Sequence, residues 1–98
     1  ENDEIDLLAD VYRALADPNR LRILKLLRNM KHPLCVNGIA NMIGVSQSAV
    51  SQQLRILRQQ GLVSVKKEGY YKHYSLNDDR LDAILKLRES VLGVAFKV

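Results

Sequence analysis

The chain has 98 residues, 47% of them hydrophobic and 27% charged, which fits one small globular domain (residues 1–98) and excludes a disordered or collagen-like chain. Its apolar runs are too short for a membrane-spanning helix, and its acidic start lacks the positive and apolar regions of a signal peptide, so we expect a cytoplasmic protein without membrane contact. The net charge of +4 is concentrated in the middle, because residues 1–16 carry −4, residues 17–76 carry +8 and residues 77–98 are balanced.

Two helices are predicted in the first third of the chain. A first helix is predicted at about 4–16, because the apolar residues there have helical spacing: Ile5, Leu8, Tyr12 and Leu15. Asp17 can then cap a second helix, with Pro18 at its first position and an end near Met30. Leucine and isoleucine residues occupy much of the circumference of this second helix, so we expect it to be the most buried one.

The next two helices are predicted on either side of a glycine. After a connector containing Pro33, a short helix should span about Val36 to Ile43 and end at Gly44, which suits a left-handed C-terminal cap. Ser46 can cap a longer helix that runs to about Gln60. Two helices joined by a glycine-containing turn of this length are typical of a helix-turn-helix.

The rest of the chain predicts a β-hairpin and a final helix. Residues 62–67 and 71–76 alternate in polarity as strands do, with a turn around Gly69 between them. Asn77 can cap a last helix at about 78–95. The expected fold is therefore α+β and mainly α: a winged helix-turn-helix with five helices and a two-stranded wing, in the order α-α-α-α-β-β-α.

The second helix of the motif has a face made of hydrogen-bonding side chains. Val50, Leu54 and Leu57 are spaced to pack inward. The opposite face carries Ser48, Ser51, Gln52, Arg55 and Gln59, with Gln47 at the helix start and Ser46 as its cap, and we expect these seven residues to contact double-stranded DNA. Glutamine can pair with adenine edges, arginine with guanine, and serine with bases or phosphate. Residues 46–65 contain no acidic side chain, and an acidic side chain there would repel the phosphate backbone. The alternative is a polar face that only keeps the helix soluble.

The predicted wing is basic around its turn. Lys66, Lys67, Lys72 and His73 surround this turn, and we expect them to contact DNA, with His73 facing solvent or phosphate. The alternative is that the lysines only protect a strand edge from aggregation. No ligand partner for His73 lies at a metal-binding spacing, so we expect no metal there.

Three stretches together resemble the ArsR/SmtB family of winged-helix repressors: ALADPNRLRILKLL (14–27), LCVNGIANMIGVSQSAVSQQLRILRQQGLV (34–63) and KKEGYYKHYSL (66–76). The resemblance implies a homodimer that pairs through the first and last helices and leaves its operator when an inducer binds. The apolar stripes predicted on these two helices support a dimer, because so small a domain has difficulty burying both stripes within one protomer. The predicted interface residues are Leu8, Val11, Tyr12, Leu81, Ile84, Leu85, Arg88 and Leu92. A two-fold dimer also predicts an inverted-repeat operator.

The sensing residues of that family are largely missing. Family members that sense thiophilic metals often carry the sequence Cys-Val-Cys at the positions that match Cys35, Val36 and Asn37 of this chain, so the second cysteine is missing here. Members that bind zinc on the last helix carry a ligand set whose positions here read Asp78, Arg80, Val91 and Val94. Arginine and valine offer Zn²⁺ no lone pair, so we expect no metal and no cofactor. The inducer is unknown.

The single cysteine, Cys35, excludes an internal disulfide and permits three interpretations. It is a small buried residue, a sensing thiol near a helix N-terminus, or a remnant of a metal site.

The predicted function is therefore a DNA-binding transcriptional repressor. The alternative is a winged-helix module that binds protein and not DNA. An enzyme is not expected, because the chain lacks a glycine-rich phosphate loop, paired carboxylates in a plausible pocket and a Cys/His constellation.

Overall fold

The structure, a computed structural model, describes residues 2–93. Its elements are α1 (Asn2–Leu15), α2 (Pro18–Asn29), β1 (Leu34–Cys35), α3 (Val36–Ile43), α4 (Gln47–Gln59), β2 (Val63–Glu68), β3 (Tyr71–Leu76) and α5 (Asp78–Leu92). This order confirms the five helices and the hairpin and adds one short strand, β1. Residues 94 and 95, into which the last helix was predicted to run, lie outside the described residues. None of the helices within 2–93 is both long and apolar enough to cross a bilayer.

Side-chain hydrogen bonds fix the starts of three helices. Asp17 Oδ1 accepts bonds from two backbone N–H groups at the start of α2, at 2.8 and 3.1 Å. Ser46 Oγ accepts one at 3.1 Å at the start of α4, and Asn77 Oδ1 accepts one at 3.2 Å at the start of α5. Each bond satisfies an N–H group that the helix itself leaves without a partner. The three predicted N-caps are therefore confirmed.

The hairpin belongs to a three-stranded antiparallel sheet in the order β1-β3-β2. A two-residue loop joins β2 to β3, and its first residue, Gly69, has a φ of 63°, as a type II′ turn requires. Strand β1 pairs Leu34 with Tyr74 and Cys35 with His73. The predicted connector at residues 31–34 is confirmed for 31–33, whereas Leu34 lies in β1. This strand was not predicted because it has only two residues and its partner strand lies far along the chain.

The core lies where α4 packs against α2, α3 and β2. Val50, Leu54 and Leu57 form the inner face of α4 and are at most 1% exposed, as their spacing predicted. The other large side chains that are fully buried are Val11, Ile23, Ile39 and Leu62. The inner face of α4 therefore fixes which of its residues point outward.

Helix α2 is less buried than predicted. Only Ile23 and Leu27 are buried in it, whereas Leu21 is 50% exposed. The helix packs mainly on α1, α3, α4 and β3, and Leu21 lies on a side that these elements leave exposed. The expectation that α2 is the most buried helix was wrong, since its apolar residues extend beyond the stripe that its neighbours cover.

Candidate nucleic-acid interface

A three-residue turn sets the angle between α3 and α4. Gly44 ends α3 in the left-handed conformation, with a φ of 74° and a ψ of 34°, and its N–H donates to Ala40 O at 2.9 Å. A side chain rarely adopts this conformation, so glycine suits the position. Ser46 then starts α4 two residues later. The two helices thus form the helix-turn-helix that the sequence predicted.

The outer face of α4 is open along its whole length. All seven residues predicted to read DNA are exposed: Ser46, Gln47, Ser48, Ser51, Gln52, Arg55 and Gln59. Four of them, Ser48, Ser51, Gln52 and Arg55, line one shallow groove on the helix surface. Ser46 differs from the rest because its hydroxyl oxygen already accepts the capping hydrogen bond. The structure therefore brings most of the predicted stripe together as one continuous polar surface.

The basic residues of the wing divide between the two faces of the sheet. Lys67 lies directly opposite Lys72, and Lys66 lies directly opposite His73. Side chains that face each other across a strand pair share a sheet face, so Lys67 and Lys72 lie on one side and the other pair on the opposite side. Two lysines in direct opposition repel each other. An anion bound beside them would relieve that repulsion.

A cleft of about 540 Å³ separates α4 from the wing. Arg55 and Arg58 line it from α4, Lys72 lines it from the wing, and its lining contains no acidic residue. The structure thus brings Lys72 together with the polar stripe of α4, whereas Lys66 and His73 lie on the other face of the sheet. Three positive side chains around one open cleft suit a phosphate backbone.

Three residues of this cleft were missed by the sequence analysis: Arg58, Tyr70 and Tyr71. Arg58 follows Arg55 by three residues, a spacing that places two side chains on neighbouring parts of a helix surface, and this signal could have identified it. Tyr70 is 98% exposed at the wing tip. The sequence signal for Tyr70 was an aromatic residue within the predicted turn, because a side chain at a turn is not buried in the core and is therefore available to a partner.

His73 is less open than expected. Its Nδ1 atom is buried without a hydrogen-bond partner in the described part of the chain, and the nearest acidic oxygen, Glu68 Oε1, is 3.9 Å away. About a third of the side chain, 30%, remains exposed. The expectation that His73 faces solvent is therefore corrected to a half-buried position, and its contact with phosphate stays a prediction. His73 is half-buried because β3 is the central strand of the sheet, so a residue of β1 and a residue of β2 lie on either side of it.

Cys35 joins the sheet to the helix-turn-helix. It is the last residue of β1 and also the N-cap of α3, where its Sγ accepts a hydrogen bond from Gly38 N at 3.4 Å. The residue is half-buried and lines the inner end of the cleft between α4 and the wing. The thiol is therefore neither fully buried nor on the open surface.

Helices α1 and α5 pack against each other, and each carries exposed apolar side chains. Three of the residues predicted for a dimer interface, Leu8, Val11 and Ile84, are at most 8% exposed. They face the core of the protomer itself, so their assignment to the interface is corrected. The exposed apolar residues on these two helices are Ile5, Tyr12, Leu85 and Leu92, at 40–59%. Leu81 and Arg88 on α5 are half-buried.

Within residues 2–93, no three His, Cys, Asp or Glu side chains converge as metal ligands would. The carboxylate of Asp78 accepts a hydrogen bond from the Arg28 guanidinium at 2.8 Å. Arg80 and Val91 lie on α5 as the sequence indicates, and Val94 lies outside the described residues.

Known proteins share both the sequence and this arrangement. The model of the arsR family of bacterial regulatory proteins matches residues 17–65. The transcriptional repressor SmtB homolog of Synechocystis sp. is 44% identical over 79 residues, which are 81% of this chain and 58% of that protein. This chain therefore spans less than two thirds of that relative. Both the family and this relative are regulators of transcription and not enzymes, as the sequence predicted.

Two solved structures resemble the fold closely. NolR from Sinorhizobium fredii is 37% identical, with a TM-score of 0.73 and coverage of 96% of this chain and 92% of NolR. The homodimeric winged helix-turn-helix DNA-binding domain of a Mycobacterium bovis protein is 30% identical, with a TM-score of 0.72 and coverage of 88% and 79%. The matched residues 17–65 contain the whole helix-turn-helix and the start of the wing. The chain belongs to the arsR family of bacterial regulatory proteins.

Proposed function

We propose that this protein is a sequence-specific DNA-binding transcriptional repressor. The observation that carries the proposal is the exposed outer face of α4, which has hydrogen-bonding side chains, contains no acid and borders a basic cleft. Gln52 and Arg55 would read base edges in the major groove, and Arg58, Lys67 and Lys72 would hold the phosphate backbone. We place this activity in the cytoplasm, where the operator DNA of a bacterium lies.

The active form would be a homodimer on an inverted-repeat operator. Ile5 and Tyr12 on α1 are seven residues apart, as are Leu85 and Leu92 on α5, so each pair lies on one side of its helix. Because α1 and α5 pack together, we place these four side chains on one apolar surface, which a second copy would cover. The related Mycobacterium bovis domain is homodimeric, which supports this assembly. A two-fold pairing would place two α4 helices on two half-sites.

The signal that releases the repressor is unidentified, and Cys35 is the candidate sensing thiol. Its Sγ accepts the capping bond of α3, and its backbone pairs with the wing strand. A peroxide would oxidise the thiol to a sulfenic acid, with water or an alcohol as the other product. The added oxygen would disturb both the cap and the cleft, so oxidation at this position would alter DNA contacts.

The experiment that tests the function is operator binding by recognition-helix variants. The target is an inverted repeat from the DNA upstream of the gene for this protein. We expect Gln52→Ala and Arg55→Ala each to weaken operator binding by roughly 1–3 kcal/mol while nonspecific binding changes little. Lys86→Ala is the control, because Lys86 is exposed on α5 outside the proposed contacts.

Three outcomes distinguish the alternatives. Loss of operator binding in both variants, with the Lys86→Ala protein unchanged, supports the assignment of α4 as the recognition helix. Parent-like binding by both variants would show that α4 does not read the operator. A parent protein that binds inverted repeats no better than random duplex would reject the sequence-specific function itself.

A further inference from the structure

Two arginines connect the recognition helix α4 to the helices that carry the exposed apolar surface. Arg20 lies near the start of α2, and Arg80 lies in the first turn of α5. Each is half-buried and bonds to groups far away in the sequence. Neither residue lies on the outer face of α4 or on the apolar surface of α1 and α5.

Arg20 joins three helices through one guanidinium group. Its Nη1 donates to Gln53 Oε1 on α4 at 2.7 Å, and its Nη2 and Nε donate to the backbone oxygens of Arg13 and Ala14. These carbonyls belong to the last turn of α1, where α1 has no further N–H groups to bond them, and Arg13 O also accepts a bond from Ala16 N at 3.3 Å. A guanidinium has several donors in a fixed plane and can satisfy all three acceptors, whereas an ammonium is a single compact group. Arg20 therefore holds the end of α1 against the middle of α4.

Arg80 makes the corresponding connection at the other end of α4. Its Nε donates to Gln60 O at 3.1 Å, directly after the last residue of the helix. Gly61 follows with a φ of 74°, and a Cβ added there would lie 3.2 Å from Arg80 Nε. A side chain at position 61 would therefore crowd Arg80, and the left-handed φ itself favours glycine there. One residue further on, Leu62 O accepts a bond from Asn77 N at 3.0 Å, so the start of α5 holds the end of α4 at two points.

We propose that Arg20 and Arg80 are positioning residues that fix the orientation of α4 relative to the dimer surface on α1 and α5. The inference rests on the proposed function, in which a homodimer reads two half-sites. In such a dimer, any tilt of α4 against α1 and α5 occurs twice, once in each protomer. The two arginines therefore determine which half-site spacing the dimer accepts, although neither touches DNA.

The test compares operators that differ only in half-site spacing. Binding is measured for the parent and for Arg20→Ala, Gln53→Met, Arg80→Ala and Arg80→Lys, on the natural spacing, on spacings changed by one base pair in either direction, and on an isolated half-site. Gln53→Met removes the acceptor on α4 and leaves the bonds from Arg20 to α1. Arg22→Ala is the matched control, because among residues 2–93 the side chain of Arg22 bonds only within α2, to Asn19.

We expect each variant at Arg20, Gln53 and Arg80 to lose about fivefold or more of the preference for the natural spacing, as a coupling of ordinary size between two sites would give. Binding to the isolated half-site should stay near that of the parent, and Arg22→Ala should behave as the parent does. A general loss of stability would weaken binding to all DNAs equally and leave the preference unchanged.

Two results would overturn the inference, and they differ in whether the proposed function stands. If the parent prefers one spacing and the variants keep that preference, the arginines do not position α4, and the proposed function stands. If the parent itself has no preference among inverted repeats and random duplex, the proposed function fails, and this inference fails with it. A variant too unstable to purify is replaced by its partner substitution, Gln53→Met for Arg20→Ala or Arg80→Lys for Arg80→Ala.

Discussion

The guanidinium of Arg28 donates to Oδ1 of Asp78 at 2.8 Å and joins the end of α2 to the start of α5. Asp78 is the only residue of the last-helix zinc set that this chain retains. Its carboxylate is thus engaged by an arginine. Both side chains are more than half exposed, at 56% and 67%, and such a pair contributes on the order of 0–1 kcal/mol.

Zinc should have no effect through this position. Arg80 and Val91 supply no lone pair, so Zn²⁺ would have a single carboxylate and would not be held. We expect operator affinity to be the same with and without Zn²⁺, both in the parent and in Asp78→Asn. Gel shifts at fixed ionic strength measure this. Zinc-dependent release that disappears in Asp78→Asn would contradict the prediction.

Two leucines of α2 should differ in their effect on stability. Leu27 is buried and Leu21 is half exposed. We expect Leu27→Ala to lower the free energy of unfolding by roughly 2–5 kcal/mol, since it leaves a cavity, and Leu21→Ala to change it by about 0.5 kcal/mol or less. Urea unfolding at one protein concentration measures both. Equal losses would show that both sides of α2 are packed.

The two faces of the wing should differ in their contribution to salt dependence. Lys67 shares a face with Lys72 beside the α4 cleft, whereas Lys66 lies on the other face. We expect Lys67→Ala to reduce the slope of log affinity against log salt by roughly two for a homodimer, about one for each lost phosphate contact. Lys66→Ala, the matched control, should reduce it less. Equal slopes for Lys67→Ala and the parent would exclude this face from the interface.

A charge on the apolar surface of α5 should dissociate the proposed dimer. Leu85→Glu would place a carboxylate between two apolar surfaces, where burial without a partner is costly. We expect its dissociation constant, measured by analytical ultracentrifugation, to rise by tenfold or more, on the order of 1.4 kcal/mol. The adjacent exposed position provides the control, Lys86→Glu. A dimer of parental strength in Leu85→Glu would place the interface elsewhere.

Cys35 should respond to oxidation in a way that serine does not. We expect hydrogen peroxide to weaken operator binding by the parent and to leave Cys35→Ser unaffected, because serine preserves a capping oxygen but not the oxidisable sulfur. Gel shifts before and after peroxide, with a reductant added last, measure the response. Indifference of the parent to peroxide would leave Cys35 as a packing and capping residue only.

Local signals predicted much of this fold. Asp17, Ser46 and Asn77 satisfy N–H groups two or three residues away, so the sequence alone carries the whole interaction. The same holds for Gly44, whose conformation is required at that point of the chain. The spacing of Val50, Leu54 and Leu57 also predicted the outward stripe of α4, because residues on the face of a helix opposite its buried stripe point to solvent.

Relationships between distant residues could not be predicted in this way. Strand β1 depends on a partner strand almost forty residues further along the chain. The burial of Leu8 and Val11 within the protomer depends on where α5 and the core lie, and an apolar stripe on α1 looks the same whether a neighbour or a second copy covers it. The hydrogen bond from Arg20 to Gln53 joins residues 33 apart, and no periodicity indicates it.

The acid-free face of α4 has a consequence for how such a protein would find its target. A surface that carries arginines and no acid is attracted to any duplex, so ordinary chromosomal DNA would act as a vast competitor. A repressor of this kind spends its time sliding and hopping along the chromosome and is rarely free in solution. Any inducer of the proposed repressor would need only to reduce the advantage of the operator over other DNA, because the rest of the genome would then compete for the protein.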